Sequence, residues 1–167
     1  MAVIDGMLQE LVQESQATRR VLERVPDDRL GWKPHAKART LGQLALHVAM
    51  VPGAVAELGS KPSPIQAPKF GEDPSPARAS ELITTLDESV AKAKKILGGM
   101  SDATANETWR LMNGDREIFA IPRIAFLRAI MLNHWYHHRG QLSVYLRELD
   151  VPIPSIYGPS ADENPFA

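Results

Sequence analysis

Apolar residues return every three to four positions over four stretches of this chain, and each stretch is bounded by residues that start or stop helices. Over residues 3–25, Ile4, Leu8, Leu11, Val12, Val21 and Leu22 are separated by charged side chains, the period of an amphipathic helix. Pro26 ends it. The following run, PDDRLGWKPHAKAR, mixes prolines, a glycine and both charge signs, so it reads as a loop whose Leu30 and Trp32 fold back onto apolar surface. Thr40 stands three residues before Gln43, the spacing of a reciprocal helix-start box, and predicts a second helix over residues 41–58. Its apolar face carries Leu44, His47, Val48, Val51, Val55 and Leu58, with Gly59 as a left-handed stop. Pro52 predicts a kink, because it deletes a backbone donor and its ring crowds the preceding turn.

Residues 60–76 hold five of the thirteen prolines and keep neither period. A connection of this length suits neighbouring helices that point the same way, so the second and third helices are expected to run parallel. The third spans residues 78–97 through Leu82, Ile83, Leu86, Val90, Ala93 and Leu97, and Gly98-Gly99 closes it. Its acids come first and its lysines last, as the helix dipole favours. Asn113-Gly114 between short runs predicts a small hairpin. A fourth helix starts near Pro122 and runs to about residue 149, stopped by Pro152 and Pro154. The tail, residues 151–167, reads as a strap packed by Ile153, Ile156 and Tyr157, or as a partly loose end. The pattern is that of an all-α four-helix bundle with a long crossover between helices two and three, in one domain over residues 1–167.

Composition narrows the function. Nineteen basic against twenty acidic residues leave a net charge of −1, so no global field attracts nucleic acid or an anionic membrane. With no cysteine there is no disulfide, thiolate metal site or cysteine nucleophile, and any metal must sit on His, Asp or Glu. The first fourteen residues carry Asp5, Glu10 and Glu14, unlike a signal peptide. The longest apolar stretch, around residues 44–56, is judged too short to cross a bilayer. The expectation is a cytoplasmic protein with no membrane or nucleic-acid partner.

Three of the five histidines fall in NHWYHHRGQ of the fourth helix. His134 and His138 are four apart, so their rings share one face a turn apart, the separation at which two imidazoles hold one cation. They also fall on a stripe with Leu127, Met131, Gln141 and Tyr145 that reads as buried, and buried imidazoles need partners. His47 lies on an apolar face of the second helix. By itself it reads more readily as a hydrogen-bonded core histidine than as a ligand. Together the three would leave coordination positions open, the arrangement catalytic sites use. His137 reads as a second-shell or surface group that could substitute as a ligand, and His35 as solvated. No phosphate loop, nucleophile elbow or Glu-x-x-His pair competes with this cluster.

The segments TLGQLALH and LNHWYHHRGQLSVYLR, followed by PIPSIYGPSADE, resemble the DinB/YfiT-like family, and the resemblance covers nearly the whole chain. The family's single helix-two histidine and its His-x-x-x-His pair land on His47, His134 and His138. The resemblance implies a four-helix bundle that binds a divalent ion, zinc or nickel, through these three residues, commonly as a homodimer. Family members include metal-dependent transferases that use a low-molecular-weight thiol. Two readings follow: a metal-dependent transferase joining such a thiol to a small electrophile, with metal-dependent hydrolysis as the enzymatic alternative, or a non-catalytic, stress-associated metal-binding protein. A cavity at the open coordination positions would separate them.

Overall fold

A computed structural model describes residues 3–69 and 71–166. Helix α1 (Val3–Leu22) is followed, after a loop, by α2 (Leu41–Ser60). The crossover then holds a two-residue strand, β1 (Ile65–Gln66), before α3 (Glu81–Gly98). A short α4 (Asp102–Asn106) leads into a hairpin, β2 (Thr108–Asn113) and β3 (Arg116–Pro122). The last rod is α5 (Arg123–Phe126), a π-helical stretch (Leu127–Asn133) and α6 (His134–Glu148), with right-handed helical backbone at both junctions.

Cross-helix contacts give the directions. Gly53 meets Ser89 and Glu57 meets Lys92, so α2 and α3 run parallel, as the long crossover predicts. Glu10 reaches Tyr136 and Thr18 reaches Arg139, so α1 and α6 are parallel too. Tyr145 contacts Arg39 while His47 contacts His134, which makes α2 and α6 antiparallel. The apolar faces close on one continuous core that includes Leu11, Leu44, Leu86, Trp109, Trp135 and Leu142. Trp32 packs back onto this core and sets its ring edge-on to Tyr145, 5.6 Å between centroids.

The start of α2 is built as the sequence predicts. Thr40 Oγ1 accepts from the Gln43 N–H at 3.2 Å and Gln43 Oε1 from the Thr40 N–H at 2.9 Å. The stop differs. Gly59 lies inside the helix, which runs on to Ser60, and it takes no left-handed conformation. Its lack of a side chain serves packing instead: a Cβ there would sit 2.9 Å from Leu127 Cδ2. The buried Arg123 guanidinium serves the last carbonyls, those of Gly59 and Lys61. The helix also continues through Pro52. Pro52 has no N–H to offer the Val48 carbonyl, and the Trp135 indole N–H donates to that oxygen at 2.8 Å. Gly53 N–H donates to Ser89 Oγ at 2.8 Å, and that hydroxyl donates to the Met50 carbonyl at 3.0 Å. The expected kink site is thus a set of bonds tying α2 to α3 and α6. By length and composition α2 could cross a bilayer, contrary to the reading of a shorter apolar stretch, but 56% of its most apolar window is buried in the bundle.

Helix α3 begins at Glu81 rather than residue 78, because residues 78–82 close tighter turns first, Glu81 N–H donating to the Arg78 carbonyl and Leu82 N–H to the Ala79 carbonyl, each at 3.1 Å. The hairpin is present, with Asn113 paired to Arg116 as the last strand residue. The two loop residues are Gly114 and Asp115, and Gly114 supplies the positive φ of 59°. Strand β1 adds to β2 in parallel, so the small sheet holds the start of the crossover against the hairpin.

The tail forms a strap. Asp150, at φ 56°, ends α6, and Val151 N–H closes onto the Leu146 carbonyl at 3.0 Å. Asp162 accepts from the Ile153 N–H at 2.8 Å and pairs with Arg147. Glu163 accepts from the Ser155 N–H at 3.0 Å and pairs with Arg20 and Arg24 of the first helical segment and its following turn.

Candidate metal centre

Helix α2 presents His47, and α6 presents His134 at its first residue and His138 one turn later. The antiparallel packing of the two helices brings the three rings together. One nitrogen from each lies within 4.8 Å of the other two. His47 Nε2 and His134 Nε2 are 3.1 Å apart, and the His138 ring centroid is 4.5 Å from that of His47 and 4.3 Å from that of His134. All three pairs of rings are near perpendicular, in edge-to-face contact.

The cluster is held in a neutral state. Burial pushes His47 and His138 down to about 4 from an ordinary 6.5, and the nearby Arg39 guanidinium and the neighbouring imidazoles add to the effect. Burial lowers His134 as well, followed by His137 and Arg39. Neutral imidazole is the form that ligates metal. His138 Nδ1 lies 2.6 Å from Gln141 Oε1, which can only accept, so Nδ1 carries the proton and Nε2 keeps its lone pair.

The stripe differs from its sequence reading. The buried face of α6 runs through Trp135, His138, Arg139, Leu142 and Leu146. Leu127, Met131 and His138 of the predicted stripe are buried, but His134 and Tyr145 are half-buried and Gln141 is exposed, so the stripe passes from the core to its edge at the histidine pair. The shift has a cause in Arg139, a charge that pattern reading leaves outside. Its guanidinium sits inside with Glu14 at 2.7 Å and Thr18 at 3.2 Å, between the rings of Tyr136 and Tyr157.

At the edge of the core the site opens on a cavity of about 750 Å³ lined by His47 and His134. The π-helical stretch supplies Ile130 to one wall, and Arg39, Gln43 and Asp73 stand at the histidine end. Arg39 Nε donates to Asp73 Oδ2 at 2.6 Å, and Gln43 Nε2 donates to the Asp73 carbonyl at 3.0 Å, which ties the crossover over the cavity. The hydrogen bond from Arg39 holds the Asp73 carboxyl below its ordinary range, so this acid serves the ion pair. Sequence reading missed the Arg39–Asp73 pair because its partners belong to two loops with no common period.

The structure leaves the other two histidines outside the cluster. His137 places its ring 5.0 Å from that of His138 but contributes no nitrogen to the convergent set. His35 is exposed, and its Nδ1 accepts from the Lys37 N–H at 3.1 Å.

Comparisons with known proteins agree with this architecture. The DinB family model matches residues 1–164. The uncharacterized protein YrdA of Bacillus subtilis (strain 168) is 26% identical over 162 residues, covering 96% of this chain and 91% of its own. Among solved structures, a DinB-like protein from Bacillus cereus ATCC 10987 superposes with a TM-score of 0.69 at 24% identity, over 92% of this chain and 97% of that one. A second DinB-like protein, YjoA of Bacillus subtilis, gives 0.62 at 17% identity, over 90% and 97%. At these identities the structural likeness speaks for the fold.

Proposed function

Because the chain belongs to the DinB family, we propose that His47, His134 and His138 hold one divalent cation, zinc or nickel, and that the protein is a metal-dependent transferase. It would join a low-molecular-weight thiol to a small electrophile. The observation that carries this reading is the convergence of three neutral imidazoles at the wall of a cavity.

The donor set suits such an ion. The 3.1 Å between His47 Nε2 and His134 Nε2 is close to the roughly 3.3 Å that separates two nitrogens bound tetrahedrally at about 2.0–2.1 Å. Three ligands leave a position free for an exchangeable group. When bound, a divalent ion lowers the pKa of a coordinated thiol or water and so supplies a nucleophile at neutral pH. Everything else is assigned to the protein. Gln141 keeps the His138 proton on Nδ1, Arg39 and burial keep the cluster uncharged, and the apolar wall that includes Val51 and Ile130 excludes water around a bound electrophile. The chain offers no cysteine, so the thiol must come from solution.

The cavity favours turnover over storage, since a binding-only site has no need of room beside its ligands. The test is elemental analysis of the purified protein, followed by assays of the zinc- or nickel-loaded form. Consumption of model electrophiles is followed with glutathione, bacillithiol, mycothiol or no thiol. Thiol-dependent, metal-dependent turnover is the expected result. Turnover with water alone would move the reading to hydrolysis, and bound metal with no turnover across the panel would favour a binding role.

A further inference from the structure

The cavity is longer than the histidine site requires. Gln43, His47, Met50, Ala54 and Leu58 of α2 and Lys61, the residue that caps it, line the cavity at steps of three and four and form one face from near the helix start to its end, with Val51, Val55 and Glu57 beside them. At about 1.5 Å per residue, the face from His47 to Lys61 is about 21 Å long. Between its ends the floor is apolar, and Met50 remains 40% exposed there. Ile130, across the groove, is 38% exposed. Pro68 and Pro74 of the crossover form the outer wall. That wall is secured at both ends. Ala67 N–H donates to the Met112 carbonyl at 2.7 Å beside β1, and Asp73 is bound to Arg39 and Gln43.

Charge is placed at the ends. Asp73 is paired with Arg39 and Glu57 with Lys92 at 3.0 Å. Lys61 stands at the end remote from the histidines beside Glu57, whose carboxylate is bonded by Lys92 and also feels the Lys61 charge, so two ammonium groups face one carboxylate there and leave a net positive charge. A largely apolar floor with an excess positive charge at one end is complementary to a chain-like molecule that ends in an anion.

We propose that this groove binds an elongated amphiphile, an apolar chain with an anionic group at the Lys61 end, whose other end lies at the three histidines. The statement that the histidine end is the reacting end rests on the function proposed above; the class of ligand rests on the groove alone. The Lys61 ammonium selects the anion, the α2 face from Met50 to Leu58 buries the chain, and Ile130 packs on it from the facing helix.

The test is calorimetric binding of hexanoate, octanoate, decanoate and dodecanoate, and of the alcohols of the same length, to the full chain in metal-free and zinc-loaded forms. Affinity for the metal-free protein is expected to rise with length by up to about fourfold per methylene, the value of burying one such group. Carboxylates should bind about fivefold tighter than the matching alcohols. Lys61→Met should remove that preference and keep the length dependence, and Ala54→Trp, at an exposed position on the floor, should remove the length dependence. No length dependence in the unmodified protein would overturn the proposal. So would a carboxylate preference that survives Lys61→Met and disappears in Arg39→Met, because the anion would then lie at the histidine end. Zinc retained without length-dependent binding sinks this inference and leaves the metal reading standing; length-dependent binding without zinc retention does the reverse.

Discussion

At the residue scale, the site depends on which nitrogen of each imidazole is free. Removing one of three ligands leaves a cation that two nitrogens satisfy poorly, so His138→Ala should abolish stoichiometric zinc retention after dialysis. His35→Ala should leave it unchanged, since His35 is exposed and its ring is engaged only with Lys37. Equal retention in both variants, read by elemental analysis, would remove His138 from the site. Gln141 makes a finer prediction. It touches no ligand position itself but fixes the His138 tautomer at 2.6 Å. Gln141→Leu should therefore weaken zinc binding by about 10–100-fold, the usual cost of losing such a support, while leaving stability nearly unchanged because residue 141 is exposed. Gln141→Glu, which keeps the acceptor, should restore binding; failure to do so would assign the effect to something other than the hydrogen bond.

At the element scale, what was legible in the sequence is what local chemistry dictates, and what was missed is what distant partners dictate. Thr40 and Gln43 announce the start of α2 because the box closes within four residues. The parallel course of α2 and α3 follows from crossover length alone. The histidine cluster was legible because the His134–His138 spacing is a property of one helix, and His47 entered as a candidate from its apolar helix face and was assigned to the cluster through resemblance. In contrast, β1 exists only because Ile65 and Gln66 find Leu111 and Met112, α4 is a five-residue helix too short to show a period, and the π-helical turn before His134 has no period to betray it. Pro52 shows the same division. Its disruption of α2 was readable, but the Trp135 indole that answers it comes from another helix. This bond lies one residue along from the His47–His134 contact, so it sets the register of the two histidine-bearing helices. Trp135→Phe keeps the ring and leaves the buried Val48 carbonyl short of a donor. It should cost about 1–3 kcal/mol in urea unfolding and weaken zinc binding in parallel. Unchanged stability would mean that the carbonyl is served within its own helix.

At the scale of the whole molecule, the tail packs Ile153 into the core with Val151 and Ile156 against it, and it closes the bundle by charge as well. Tyr157 is 71% exposed, yet its hydroxyl donates to Glu14 at 2.8 Å and accepts from the buried Arg139, so the strap completes a network that begins on α1 and α6. Asp162 and Glu163 anchor the rest. The Arg147 hydrogen bond, then the Ile153 N–H, holds the Asp162 carboxyl below its ordinary 3.8. The Ser155 N–H, with the charges of Arg20 and Arg24, holds Glu163 below its ordinary 4.5. A carboxylate whose folded pKa is depressed adds stability that is fully present above its unfolded pKa and is lost as pH falls through the folded value. Strap docking should therefore be constant from neutral pH to about pH 5, begin to weaken as pH falls through the ordinary carboxylate range near 4, and be lost as pH falls through the lower folded values. The readout is amide hydrogen exchange at Ile153 and Ser155, whose N–H groups bond these two side chains, corrected for intrinsic rates at each pH. Protection there should fall before that of buried α6 amides such as Leu142. Asp162→Asn with Glu163→Gln should already show the loss at pH 7. Protection at Ile153 and Ser155 that holds through pH 3, or that falls only with the α6 amides, would mean that Ile153 and the Tyr157 network hold the strap without the carboxylates.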